Sequence, residues 1–255
     1  MSAVSSSEIR QEFAKSKVGL VGIGILASLI ILSAVAVITI PIDTFKQWNN
    51  PGKWISYPKT SVPIWINYFM TEKIPEHLIL DNPSAITKDD IISLTSHQFG
   101  VQYYYDDFPS DFIYEFSVEY SGSHLLQISV IRPDQSQILL LSRSLPHSDT
   151  NIIHHERIFS TDNTIKKNIQ IHFSEMGFHN QSTSSEDMIF ANKDGQVLKG
   201  DYLFLLNIYG VEEKVKIIDS KLILGGKAFG IMGTDELRRD LAVGLLWGTP
   251  LALFI

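Results

Sequence analysis

Residues 112–120 read FIYEFSVEY, and their alternation decides what fold the rest of the chain must complete. Phe112, Tyr114, Phe116, Val118 and Tyr120 fall on one face of an extended segment, with Glu115, Ser117 and Glu119 on the other. Side chains of a strand point alternately to its two faces, so this is a strand with one face buried. Downstream, Ser121, Gly122 and Ser123 turn the chain, and Leu126, Ile128 and Val130 continue a second strand. A turn over 132–136 precedes a third strand over 138–143. Further strands are expected over 152–159, 168–173 and 187–191, then a tight turn at 192–195, NKDG. The stretch YLFLLNIYG, 202–210, turns Tyr202, Phe204, Leu206 and Ile208 inward, and a turn at 211–213 leads to a last strand over 214–224. Strands of this length and spacing predict an antiparallel two-sheet sandwich over 111–226. Tyr202, early in a late strand, is placed to serve as a tyrosine corner.

Upstream, 41–110 reads as an irregular outer segment rich in Pro and aromatics. It is expected to hold a first strand over 62–69, a short helix opened by Thr87 and Asp90 and running to His97, and a strand over 101–105. Trp48, Trp54, Tyr57 and Trp65 suit either a membrane–water interface or the base of the outer domain.

Residues 18–40, VGLVGIGILASLIILSAVAVITI, carry no charge over twenty-three positions. As a helix they would reach roughly 34 Å, enough to cross a hydrocarbon core. Ala34, Val35 and Ala36 have the small-x-small form of a signal cleavage site, but the apolar run is too long and no polar cleavage region follows. The segment therefore reads as a retained transmembrane helix behind a polar tail, 1–17. Gly24 and Ser28, four apart, are suited to face another helix.

At the other end, 230–255 reads GIMGTDELRRDLAVGLLWGTPLALFI. Thr234 is expected to cap a helix, with Asp235 and Glu236 in its first turn, where negative charge meets the positive end of the helix dipole. Asp235 and Arg239 form an i,i+4 acid–base pair. Leu237, Leu241, Gly244, Leu245 and Gly248 share a stripe, and from Leu241 onward there is no charge. This stretch is expected to begin a second transmembrane helix.

The 255-residue chain has a net charge of −7 and no cysteine. Residues 42–230 hold sixteen Lys and Arg against twenty-three Asp and Glu, so the excess acid lies there and a nucleic-acid partner is not expected. Thiol chemistry is excluded, and a domain of this size must hold by packing alone. There is no phosphate loop, nucleophile elbow or His-Glu-x-x-His helix. His154, His155 and Glu156, even with His172 and His179, lack helical zinc-ligand spacing and read as surface residues. Asn180, Gln181 and Ser182 form a glycosylation sequon. No catalytic, cofactor-binding or metal residue is expected, no cofactor, and no enzymatic activity.

Gly233, Thr234, Asp235, Arg239 and Asp240, followed by Gly248, resemble the motif that precedes the second membrane helix in C-type permease subunits of ABC importers for dipeptides, oligopeptides and nickel. Arg238 departs from the family's glycine. The resemblance implies a multi-pass permease forming part of the transmembrane pathway for peptides or similar solutes, with its N-terminus cytoplasmic and 42–232 extracellular. It implies a second permease subunit, two ATP-binding subunits, an extracellular substrate-binding protein and membrane lipid as partners. The fold expected is membrane-anchored and mostly β: an N-terminal transmembrane helix, an extracellular antiparallel β-sandwich, and the start of a second transmembrane helix. The alternative is a membrane-anchored cell-surface β-sandwich binding protein, with the last stretch lying on the membrane.

Overall fold

A computed structural model of the protein describes residues 16–89, 92–175, 184–210 and 215–254. Its centre is β4 (Asp111–Gly122), the strand the alternation announces. Phe112, Tyr114, Phe116, Val118 and Tyr120 are all buried on its inner face. β4 lies between β7 (Ser148–Phe159) and β9 (Lys216–Gly225), and β1 (Leu78–Leu80) closes the far edge, giving the order β1-β9-β4-β7. The facing sheet has the order β2-β3-β8-β5-β6, from β2 (Ser84–Asp89), β3 (Ser93–Tyr103), β8 (Gly200–Gly210), β5 (His124–Ile131) and β6 (Gln137–Ser144). Every pairing within both sheets is antiparallel. The mostly-β antiparallel sandwich behind an apolar N-terminal helix is the observed fold.

Alternation in facing strands builds the core: Phe99 and Val101 of β3, Leu126, Ile128 and Val130 of β5, and Phe204, Leu206 and Ile208 of β8 meet the inner face of β4. Three of the buried phenols are tied to nearby carbonyls. Tyr103 donates to Asp107 O at 2.6 Å and Tyr120 to Pro146 O at 2.7 Å. Tyr202 donates to Leu198 O at 2.6 Å, the short upstream tie expected of a tyrosine corner. Such bonds matter because a buried hydroxyl without a partner costs about 1–3 kcal/mol.

Four expected elements differ. Residues 168–173 lie in a helix, α4 (Asn163–Glu175), not a strand. Ile165, Ile169 and Phe173 recur at four-residue spacing and are buried, and that helical period overrides the alternation of Ile169, Ile171 and Phe173. Residues 187–190 fall in α5 (Ser185–Phe190), which Ser184 caps by accepting from Asp187 N at 3.0 Å, and Ala191 only bridges Val197. The helix expected from Thr87 to His97 is the β2–β3 hairpin, in which Thr87 faces Thr95. The strand expected over 62–69 is a single 3-10 turn, Ile64–Tyr68, opened by Pro63. The turn at 211–213, Asn180 and His179 lie outside the described residues.

The apolar helix α1 (Lys17–Thr39) is the one helix among the described residues long and apolar enough to cross a membrane. Its apolar side chains point outward, Val18 and Ile38 each being more than four-fifths exposed. A Cβ on Gly24 would meet nothing within 4 Å and Ser28 is exposed, so neither faces another helix here. Short helices α2 (Ile42–Lys46) and α3 (Pro51–Trp54) follow, and α6 (Leu241–Phe254) packs against α1 and α2. The fourteen described residues of α6 span about 21 Å.

Candidate functional site

The outer face of the four-stranded sheet carries an open groove of about 370 Å³. It is built by strand pairing. Register sets Glu115 of β4 between Arg157 of β7 and Lys221 of β9, and Ser117 between His155 and Asp219. Because side chains alternate, these six share the outer face. A bulge lies beside them, since Val118 pairs with Ile217 and leaves Ile218 extra on β9.

Two pairs in the groove are already engaged. Arg157 Nε lies 2.7 Å from Glu115 Oε1, which also accepts from Ser56 Oγ at 3.2 Å. Ser117 Oγ lies 2.7 Å from His155 Nδ1, and Ser117 is buried although the alternation set it outward with Glu115 and Glu119. Asp219 and Lys221 form no ion pair among the described residues, and two positions apart on one strand they stand about 7 Å from each other. The groove thus offers a free carboxylate and a free ammonium beside two pre-oriented hydrogen-bonding pairs. Sequence reasoning missed this site. Its signal was the polar half of each alternating strand, which says nothing about which strands become neighbours.

Ser117 and His155 are a nucleophile–base pair in distance only. No carboxylate among the described residues is hydrogen-bonded to His155, and Asp219 stands across Ser117 on the opposite strand. The triad arrangement, in which a third group orients the imidazole, is not formed.

His154 and Glu156 share the other face of β7, with His154 Nε2 3.3 Å from Glu156 Oε2 and Arg143 of β6 ion-paired to Glu156. They close the sandwich edge. Burial lowers the His154 pKa, and the nearby Arg143 and His155 lower it further. His172 sits on α4, which packs against β6. No cluster of three metal-ligating side chains exists among the described residues.

The C-terminal motif builds a collar between domain and helices rather than a capped helix. Gly233 adopts φ +73°, and a Cβ there would stand 2.1 Å from Ser61 O. Thr234 is buried: its Oγ1 accepts from Ser61 N at 3.0 Å, donates to Pro58 O at 2.7 Å and lies 2.9 Å from Ser61 Oγ. It is therefore not an N-cap. The helix begins seven residues later, where Asp240 Oδ1 accepts from Ala242 N at 2.9 Å. The Asp235–Arg239 pair forms at 2.6 Å, but around a loop that Asp235 braces by accepting from Leu237 N and Arg239 N. Burial works to raise the Asp235 pKa, yet the hydrogen bonds from Arg239 and Leu237 outweigh it and hold the carboxyl below its usual range. Burial raises Asp240.

Arg238, the departure from the family glycine, is left-handed at φ +65°. That costs a non-glycine residue roughly 1–2 kcal/mol. Its guanidinium donates to Tyr57 O at 2.6 Å and to Asp111 Oδ2 at 2.8 Å, tying the collar to the start of β4. Arg239 lies 4.7 Å over the Trp48 ring, and Trp48 rests where a Cβ on Gly244 would meet it at 2.6 Å. A Cβ on Gly248 would meet nothing within 4 Å.

No family model matches the chain. No curated protein matches it. Among solved structures it is similar to the module TmCBM61 in complex with β-1,4-galactotriose, at 8% identity and TM-score 0.26, over 62% of this chain and 90% of that one. It is also similar to CBM28, a carbohydrate-binding module specific for non-crystalline cellulose, at 7% identity and TM-score 0.25, over 68% of this chain and 97% of that one. The enzymatically active domain of a bacteriophage CBA120 tailspike is a third, at 7% identity and TM-score 0.24, over 57% of this chain and 18% of that one. The overlap with each is loose.

The permease membership drawn from the C-terminal motif is corrected: no family model and no curated protein matches the chain, and the motif does not fold as the capped entry to a membrane helix. The peptide pathway, the second permease subunit, the two ATP-binding subunits and the substrate-binding protein are withdrawn with it. The physical reason lies in the motif: residues read as the capped start of a membrane helix are spent on buried bonds to Pro58 and Ser61.

Proposed function

We propose that this chain is a membrane-anchored, cell-surface β-sandwich binding protein. α1 is its anchor, with Lys15 and Lys17 on the cytoplasmic side and the sandwich outside. The binding surface is the groove on the four-stranded sheet, and its ligand is a hydroxyl-rich molecule of saccharide type. The observation that carries this is the row of Asp219, Lys221, Ser117–His155 and Glu115–Arg157 on one open face. Carboxylate acceptors alternate there with ammonium and guanidinium donors, which suits vicinal hydroxyls that both donate and accept. No aromatic platform lines the groove except Phe116, whose side chain is buried, so recognition rests on hydrogen bonds. The role is binding without catalysis, since the Ser117–His155 pair has no orienting acid.

The test is binding of an oligosaccharide panel to the full chain in nanodiscs, by calorimetry. The double variant Asp219→Asn, Lys221→Ala should weaken any binding about tenfold or more, since hydrogen bonds to charged groups are worth about 1.5–3 kcal/mol. Binding by no member of the panel, or binding indifferent to the double variant, overturns the reading.

A further inference from the structure

A second surface lies on the collar, on the segments 64–71 and 230–234. Tyr68 and Phe69 are each 83% exposed and Ile231 is 70% exposed. Trp65, Met70 and Met232 are exposed around them. Trp65 joins the two segments: its ring stands 6.3 Å from that of Phe69, and its Nε1 donates to Ile231 O at 2.9 Å. Single exposed apolar residues are ordinary on a protein surface, whereas a contiguous group marks a contact. Neither segment, 64–71 nor 230–234, contains a charge.

Backbone bonds join the segments that carry these side chains to the start of α6. Ile64 N donates to Gly230 O at 3.0 Å, Gly233 N to Phe229 O at 3.1 Å, and Leu241 N, the first residue of α6, to Gly233 O at 3.1 Å. α6 in turn packs on α1. We infer that Trp65, Tyr68, Phe69, Met70, Ile231 and Met232 dip into the headgroup region of the bilayer that α1 crosses, seating the sandwich on the membrane. This rests on the anchor reading above. The chemistry fits that depth: the indole N–H of Trp65 is satisfied by Ile231, leaving an apolar ring, while Tyr68 keeps a polar tip for the headgroups.

The cysteine-free chain allows a direct test. Phe69→Cys and Ile231→Cys, each labelled with an environment-sensitive fluorophore, are placed in the full chain in phosphatidylcholine/phosphatidylglycerol vesicles. Asp149→Cys is the reference, because it follows Ser148, which pairs with Gly122 at the far end of β4 from the collar. A twelve-residue strand sets those ends about 40 Å apart. The expected result is severalfold stronger quenching by spin-labelled lipid at Phe69 and Ile231 than at Asp149, with the reverse order for iodide. Flotation of the vesicles reports the anchor separately. If the protein floats but the three labels respond alike to lipid, the patch inference fails and the anchor stands. Labels at Phe69 and Ile231 shielded from both quenchers, increasingly so with protein concentration, assign the patch to a second copy and overturn it. A chain that does not float overturns the anchor reading and this inference with it.

Discussion

The sandwich core and the collar beneath it are both well packed, yet they are held in different ways. In the core, Phe112, Tyr114, Phe116, Val118 and Tyr120 are buried because one strand alternates, and facing strands alternate to match. Each neighbour is replaceable in kind, since any apolar side chain of similar volume keeps the face dry. In the collar, Trp54, Val243 and Trp247 form only a small cluster, with Phe45 stacked 5.7 Å from Trp247 and Tyr57 5.2 Å from Phe229. What locks it is a set of directed bonds: Thr234 to Ser61 and Pro58, Arg238 to Tyr57 and Asp111, Asp235 to Arg239. A core of this kind resists by volume. A collar of this kind resists by hydrogen-bond geometry, and fails locally when one bond is removed.

That contrast can be broken in three places, taken from the largest effect down. Phe116→Ala should cost about 3–5 kcal/mol, because the side chain is 3% exposed in the main core and its loss leaves a cavity. Chemical denaturation followed by circular dichroism should show the whole β signal melting earlier; a shift confined to the collar would remove the distinction drawn here.

His77 is partly buried at the collar, its ring 5.5 Å from Phe229. Burial lowers its pKa from 6.5 to about 4, against the opposing pull of Asp111. The unfolded chain takes up that proton near pH 6.5 and the folded chain only near 4. Stability from this group is therefore complete above pH 6.5 and falls as pH drops toward 4, by about 3 kcal/mol at roughly 1.4 kcal/mol per pH unit. In His77→Phe that part of the acid slope should vanish. Thermal melts of both proteins across this window check it, and parallel slopes would show that His77 titrates normally.

Thr234→Val should cost about 1–3 kcal/mol by leaving Ser61 N and Pro58 O without their partner. Hydrogen exchange should quicken at 58–64 and 229–241 while β3, β4 and β8 keep their protection. Equal loosening of the sandwich would show that core and collar unfold as one unit.

How much could be read in advance follows the same division. The strands β4, β5, β6, β7 and β8 and the Tyr202 tie were visible as period-two patterns and turn residues. α4 is misread as a strand because Ile169, Ile171 and Phe173 alternate, whereas the buried set is Ile165, Ile169 and Phe173 at helical spacing, with Ile171 exposed. The aromatics after α1, left open between interface and domain base, divide: Trp54 is buried in the base, whereas Trp65 is exposed. The groove was illegible although Glu115 and Ser117 were singled out as a polar face. Its members come from three strands, and pairing register alone brings Arg157 and Lys221 to Glu115.

By itself the sequence determined an uncharged helix at the N-terminus and a two-sheet antiparallel sandwich after it, because both signals are local. Hydrophobic period and length are properties of a few consecutive residues, and burial follows from them wherever the segment packs. Only the tertiary structure decided what the last stretch is. Thr234, Asp235 and Arg239 satisfy every local rule for the start of a helix, yet Ser61 and Pro58, more than 170 positions earlier, offer Thr234 three partners in a buried site. A cap satisfies one backbone N–H at the water's edge, whereas that site would leave buried groups unpaired without the threonine, so the distant contact prevails over the local one.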